Sequence, residues 1–256
     1  MSQLRNWAAG LYRELIPRAR RQQLYRILHR GRYRRLRTAV YPSAKGTYSL
    51  RRFDALRAIF IHTPKAAGTS LALSIFGELP DHYTADDYIA VFGRRTFDAY
   101  FKFSFVRNPW DRLYSAYNFL SKGGWDDKDR VWASTHLGGY TDFGDFVTRG
   151  LRQEAVLSFT HFIPQHEFVC DRHGRLLVDY LGYFETIDND YGEICRRIGV
   201  EAALAHTNRS TEFDYRRHYT ETTRAIVADV YQRDIDLFGY AFEGIGARTI
   251  VTDHRR

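Results

Sequence analysis

The chain has 256 residues, a formal net charge of +8, and a composition that is 44% hydrophobic and 16% aromatic. That suits one large domain, or a domain with an appendage, and no run approaches the roughly 18–20 apolar residues of a membrane span. There is no apolar leader, and Cys170 and Cys195 form no C-x-x-C pair, so neither a disulfide framework nor a zinc site is expected. This usage fits a reducing compartment, and a cytoplasmic protein is expected.

The positive charge is concentrated in residues 1–50, where Glu14 is the one acidic residue. In this arm Leu4, Trp7, Leu11 and Leu15 recur at helical spacing up to Pro17. A second helical stretch sets Leu24, Ile27 and Leu28 among Arg20, Arg21, Arg26 and Arg30. Two uses are open. The arm packs on the domain or on a second copy of the chain, or it lies on an anionic membrane or polyanion. No DNA-reading motif is present, so nucleic acid is not an expected partner.

A domain is expected over residues 51–256. Its first unit is AIFIHTPKAAGTSL, a short apolar strand over 58–61, a small-residue loop and a helix carrying Leu71, Ile75 and Leu79. Helix N-termini present unpaired N–H groups and partial positive charge, which makes them anion sites. Gly68 lets backbone approach a ligand, Thr69 and Ser70 add hydroxyls, and Lys65 adds a charge. The order differs from the G-x-x-x-x-G-K-[ST] of ATP and GTP loops, because the lysine precedes the glycine.

The second unit is FKFSFVRNPWDRLYSAYNFL. Alternating Phe101, Phe103 and Phe105 predict a strand, Arg107-Asn108-Pro109 breaks it, and Leu113, Ala116, Tyr117 and Leu120 predict a helix. Arg107 stands at the strand end and Ser115 one turn into the helix. In an open parallel sheet both loops would face the same edge. Residues 121–140 show no period and read as a lid or substrate loop. Further on, the pattern predicts a short helix over 142–147, a strand over 176–184, a helix over 187–198, a polar loop over 208–219 and one long helix over 220–238. Strands alternating with helices indicate α/β layers.

The pair FIHTPKAAGTSL and FSFVRNPWDRLYSAY resembles the two signatures of sulfotransferases that use 3′-phosphoadenosine 5′-phosphosulfate (PAPS). More narrowly it is similar to the carbohydrate branch with heparan 2-O- and chondroitin-type enzymes and bacterial relatives. FIPQHEF, LLVDYLGYFETIDNDY, NRSTEFDYRRHYT and YQRDIDLFGYAF extend the likeness, which covers about residues 57–242. It implies a P-loop-like three-layer fold with a central, mostly parallel sheet, and sulfuryl transfer to a carbohydrate hydroxyl without a metal.

Carried over by residue, the resemblance gives Lys65, Ala66, Ala67, Gly68, Thr69 and Ser70 to the phosphosulfate. It gives Arg107 and Ser115 to the 3′-phosphate, and places Asn208, Ser210 and Tyr215 near the cofactor. Ala66-Ala67 departs from the Thr-Gly or Gly-Gly common in the family. His82 stands where the family often carries a histidine taken as the general base. His62 reads as structural, His161 and His166 as acceptor-site candidates, and exposed Asp86 and Asp87 as too acidic for a base. Trp110 reads as core or adenine stack, and Arg112 as a ligand of a sulfate or of the 3′-phosphate or as a surface i,i+4 pair. The competing readings are a nucleotide kinase or NTPase, which lacks the Walker order, and a non-catalytic polyanion binder, which leaves the cradle unexplained.

Overall fold

The structure, a computed structural model, describes residues 18–43, 46–204, 214–249 and 251. The first arm helix expected from Leu4 to Leu15 lies outside them, as do Asn208 and Ser210. The described chain opens with α1 (Arg18–Leu28), α2 (Arg30–Leu36) and a hairpin of β1 (Val40–Ser43) and β2 (Gly46–Ser49). It continues through α3 (Arg51–Leu56), β3 (Ala58–Ile61), α4 (Gly68–Phe76), α5 (Ala85–Phe92), α6 (Arg94–Ala99) and β4 (Phe101–Val106). After β4 come α7 (Pro109–Ser121), α8 (Asp127–His136), β5 (Tyr180–Tyr183), α9 (Ile187–Ile198), α10 (Glu221–Val230) and α11 (Gln232–Phe238), with shorter turns between them.

The expected α/β architecture is present. β3, β4 and β5 form a parallel sheet in that order, with Ala58 opposite Phe101 and Phe103 opposite Tyr180. Every residue of β3 and β4 is buried, as expected of a parallel sheet covered on both faces. Phe60, Phe103 and Phe105 are each at most 1% exposed, and burying such a side chain contributes about 1.5–3 kcal/mol. Polar residues inside β4 are matched locally. The Ser104 hydroxyl donates to the Ile61 carbonyl at 2.7 Å, and Lys102 pairs with Asp179 at 2.9 Å.

Two apolar cores flank the functional region. One joins the sheet to α3–α6 and α9. The other gathers α7, α8, residues 143–162 and α10 around Phe146, Phe162 and Tyr231. α7 begins where the sequence places it. Pro109 occupies its first turn, and the Asn108 side chain accepts from the Trp110 N–H at 3.1 Å. Asn108 Nδ2 also donates to the Ala241 carbonyl at 2.8 Å, tying the turn to the end of the chain.

Three expectations are corrected. Residues 121–140 are not one loop, because α8 occupies Asp127–His136. Its N-cap Asp126 accepts from the N–H groups of Lys128 and Asp129, and acids fill its first turn. The helix is set by its cap, while Val131 stays 62% exposed, so no apolar period marks it. The strand expected over 176–184 pairs in the sheet only at Tyr180–Tyr183. Its first part turns back instead, Leu177 N–H donating to the Val169 carbonyl at 2.8 Å. The single helix expected over 220–238 divides at Tyr231, whose φ of −109° and ψ of 22° leave the helical region. That break seats the buried Tyr231 hydroxyl on the Phe162 carbonyl at 2.8 Å.

The arm is fastened to the domain. Arg26 pairs with Asp86 and Asp87 at 3.1 and 3.3 Å, and the Tyr33 hydroxyl donates to Asp87 at 3.1 Å. Arg37 grips Asp54 through two bonds of 2.8 Å. β2 runs along Leu79, whose N–H donates to the Thr47 carbonyl at 2.8 Å and whose carbonyl accepts from Ser49 at 3.0 Å.

Candidate active site

A cleft of about 2180 Å³ opens at the carboxyl ends of the parallel strands. Lys65, Ala67, Gly68, Thr69, Ser70, His82, Arg107 and Ser115 all line it. The two strand–turn–helix units therefore share one edge, as open parallel sheets arrange their ligand sites. Ala66 does not join them, since its side chain is buried in the core at 1% exposure.

The loop after β3 is held in an uncommon conformation. Lys65 and Ala67 have φ of 66° and 61°, left-handed for residues with a Cβ. Left-handed residues alternating with ordinary ones turn successive N–H groups to one side and form an anion-binding concavity. Gly68 is required for packing. A Cβ there would sit 1.9 Å from the His62 ring, so the missing side chain makes room for that imidazole. Lys65 Nζ rests 3.7 Å from the centroid of Phe119. Burial and the nearby Arg107 push the lysine pKa down to about 8.

Arg107 braces this loop. Its Nη1 donates to the Lys65 carbonyl at 3.1 Å, and its fork grips Asp111 through Nε at 2.8 Å and Nη2 at 2.7 Å. Its guanidinium lies 4.1 Å from the Phe184 ring centroid, and its backbone is clamped in both directions by the Gln165 amide. Arg107, Asp111 and Ser115 fall four residues apart, so they share a side of the turn and helix. Arg112 is neither a surface ion pair nor a ligand of the cleft. It is 1% exposed and donates to the carbonyls of Pro64, His161 and Ile163 at 3.0, 3.2 and 2.7 Å. It thus fixes the Lys65 loop to the segment that carries His161.

Three histidines stand in a row. The His62 and His82 ring centroids are 4.1 Å apart, and those of His82 and His161 are 6.0 Å apart. His62 Nδ1 donates to the Pro80 carbonyl at 3.4 Å, and His82 Nδ1 donates to the His62 carbonyl at 2.9 Å. The second bond places the His82 proton on Nδ1 and leaves Nε2 as the acceptor. Burial holds the His82 pKa down at about 4, against the opposing bond to His62, and keeps His62 well below the usual range. Between about pH 4 and 8, His82 is neutral and Lys65 is protonated.

His161 completes the row. Its Nε2 donates to Asp129 Oδ1 at 3.3 Å, while its buried Nδ1 has no partner among the described residues. Asp129 also accepts from the Trp125 N–H at 2.8 Å. Burial raises the Asp129 pKa, but the bonds from His161 and Trp125 outweigh it and hold the group below its usual value.

The remaining candidates lie elsewhere. His166 is bound to the fully buried Asp234 at 2.6 Å, away from the cleft. Asp86 and Asp87 face Arg26, and Asp87 also closes the capping box of α5 with Thr84. Trp110 is core, its Nε1 donating to the Arg224 carbonyl at 3.0 Å. Tyr215 is buried and its hydroxyl bonds the Phe242 carbonyl. Sequence reasoning missed Asp111, Phe119 and Asp129. Asp111 and Phe119 were within reach, since they extend the four-residue spacing of Arg107 and Ser115 along α7. Asp129 had no local signal, because its partner lies 32 residues away. Among the described residues, no group of three His, Cys, Asp or Glu side chains is placed to hold a metal ion.

The geometry agrees with comparisons to known proteins. Residues 79–241 match the model of the sulfotransferase family. An uncharacterized protein of Archaeoglobus fulgidus is 27% identical over 126 residues, covering 49% of this chain and 90% of that protein. Carbohydrate sulfotransferase 10 of Xenopus laevis is 23% identical over 241 aligned residues, covering 73% of this chain and 66% of the frog enzyme. No solved structure matches. The family match begins after the Lys65 loop and takes in His82, Arg107, Ser115 and His161, and it spans more than half of the chain. The chain belongs to the sulfotransferase family.

Proposed function

We propose that the protein transfers a sulfuryl group from PAPS to a hydroxyl of a carbohydrate. The observation that carries this reading is the placement of Lys65 and of His82, whose Nδ1 is held by the His62 carbonyl, on one cleft beside a loop with left-handed Lys65 and Ala67. The donor supplies a sulfuryl group on a phosphate oxygen. The residues present suit such a donor, with N–H groups, the Thr69 and Ser70 hydroxyls and Lys65 at one end, and Arg107 and Ser115 at the other. Arg107 enters that role already bonded to Asp111, so a 3′-phosphate would share or displace this carboxylate.

In the transfer, the acceptor oxygen bonds to sulfur as the bond from sulfur to the phosphate oxygen breaks. His82 Nε2 takes the hydroxyl proton. Lys65 and the loop N–H groups meet the charge that builds on the leaving phosphate. Positioning and charge stabilisation carry such transfers, as in phosphoryl chemistry. A donor anion in the cleft raises the low His82 pKa toward the working range, because a nearby negative charge favours the imidazolium.

The distinguishing experiment is thermal denaturation with nucleotides. Adenosine 3′,5′-bisphosphate is expected to raise the melting temperature, while ATP with magnesium leaves it unchanged. Stabilisation by ATP with magnesium alone would transfer the cleft to the kinase or NTPase reading.

A further inference from the structure

The function proposed above places the donor and the reacting hydroxyl at one end of the cleft, and the cleft extends beyond that end. Pockets for a single small ligand usually measure about 300–1,000 Å³, and this one is about 2180 Å³. Its far wall is built by residues that precede the family match at 79–241, among them Arg32 on α2, Tyr41 on β1 and Tyr48 on β2. Lys122, Trp125 and Lys128, from the end of α7 and the start of α8, line the same cleft.

This wall is fixed in place. The Arg26, Tyr33 and Arg37 contacts hold α1 and α2 to the domain, and β2 runs along Leu79. The Trp125 side chain is hydrogen-bonded to Tyr48, which joins the hairpin to the segment before α8. The side chains that face the opening are available. Tyr41 is 56% exposed, Arg32 has the Tyr25 hydroxyl as its side-chain partner, and Lys122 and Lys128 form no ion pair among the described residues. The acids on the same end are engaged. Asp81 accepts from the His82 N–H at 2.7 Å, Asp126 caps α8, and Asp129 holds His161.

We infer that the basic N-terminal segment supplies the outer half of an acceptor subsite, in which Tyr41 and Arg32 hold an extended oligosaccharide whose reacting hydroxyl lies at His82. An exposed aromatic face suits the apolar side of a sugar ring, and the guanidinium suits its hydroxyl or acidic oxygens. The inference rests on the carbohydrate reading, and it gives the arm a use in recognition of the substrate.

The test pairs binding with stability. Full-length protein loaded with adenosine 3′,5′-bisphosphate is applied to an oligosaccharide array, and the glycan retained most strongly becomes the probe. Arg32→Ala and Tyr41→Ala are then titrated with that glycan and melted alone. Each is expected to weaken glycan binding by roughly tenfold, the loss of one good stacking or charge contact, with melting temperature and bisphosphate affinity unchanged. Unchanged glycan affinity in both variants overturns the inference, and so does an array that retains nothing while the bisphosphate still binds. If the bisphosphate itself fails to bind, the donor reading is what has failed, and the variants' glycan affinities still decide the role of the arm.

Discussion

The two ends of the cleft are built on opposite terms. At the Lys65 end nearly every group is fixed by backbone. The loop holds two left-handed residues, Gly68 is packed against His62, Arg107 spans from Asp111 to the Lys65 carbonyl, and Arg112 is buried on three carbonyls. At the arm end the scaffold is anchored by part-buried ion pairs and by the backbone bonds of β2 to Leu79, and the side chains of Arg32 and Tyr41 toward the opening are exposed. The comparison teaches where rigidity is needed. A group that must meet charge developing on a single bond benefits from being held in advance. A surface that selects among glycans gains from side chains that can be replaced without disturbing the core.

The sharpest way to break this comparison is at Gly68. Gly68→Ala puts a methyl group 1.9 Å from a His62 ring atom, and backbone of α4 must move to relieve it. Overpacking of this kind typically costs about 1–3 kcal/mol, which for a domain of this size lowers the melting temperature by about 2–4 °C per kcal/mol. Bisphosphate binding should fall along with it, because the same shift disturbs the loop. A variant with unchanged melting temperature and affinity would show that the fixed end is less rigid than its geometry indicates.

A smaller effect comes from pH. His62 and His82 are held neutral in the fold, with pKa values below the ordinary 6.5. As pH falls below about 6.5, the unfolded chain binds protons that the folded chain refuses. Stability is therefore full above that pH and declines toward about 4, where folded His82 also titrates. Melting temperatures measured between pH 7.5 and 5 should fall over this window, and His82→Gln should flatten the decline. An equal slope in the variant would mean that His82 is not held neutral by the fold.

Much of the Lys65 end was legible because its signals are local. A buried strand, a loop and a helix lie within a dozen residues in each unit, and α7 carries its cap and first-turn proline in adjacent positions. The helix over 187–198 was equally plain, with its apolar row and left-handed Gly199 at the end. What escaped is held by partners far apart in sequence. Arg112 reads as surface charge until Pro64, His161 and Ile163 fold around it. His161 reads as one of two equivalent histidines around Pro164 until Asp129 takes it into the cleft and Asp234 takes His166 out. α8 was hidden because a cap, not an apolar stripe, sets it. The arm could be read as basic and helical, but not as a wall of the cleft, since that depends on the hairpin reaching Leu79 and Trp125.

The central claim is that Lys65 and His82 act on one reacting bond. Transfer of labelled sulfate from PAPS to a panel of glycans tests it, with wild type, Lys65→Ala and His82→Ala run side by side. Removing a general base typically costs about 10²–10⁴-fold, and removing one group that stabilises developing charge costs about 10²–10³-fold. Both variants should lose turnover on this scale while retaining their fold. Near-normal turnover by His82→Ala would contradict the assignment of the base, and near-normal turnover by both would contradict the account of the cleft.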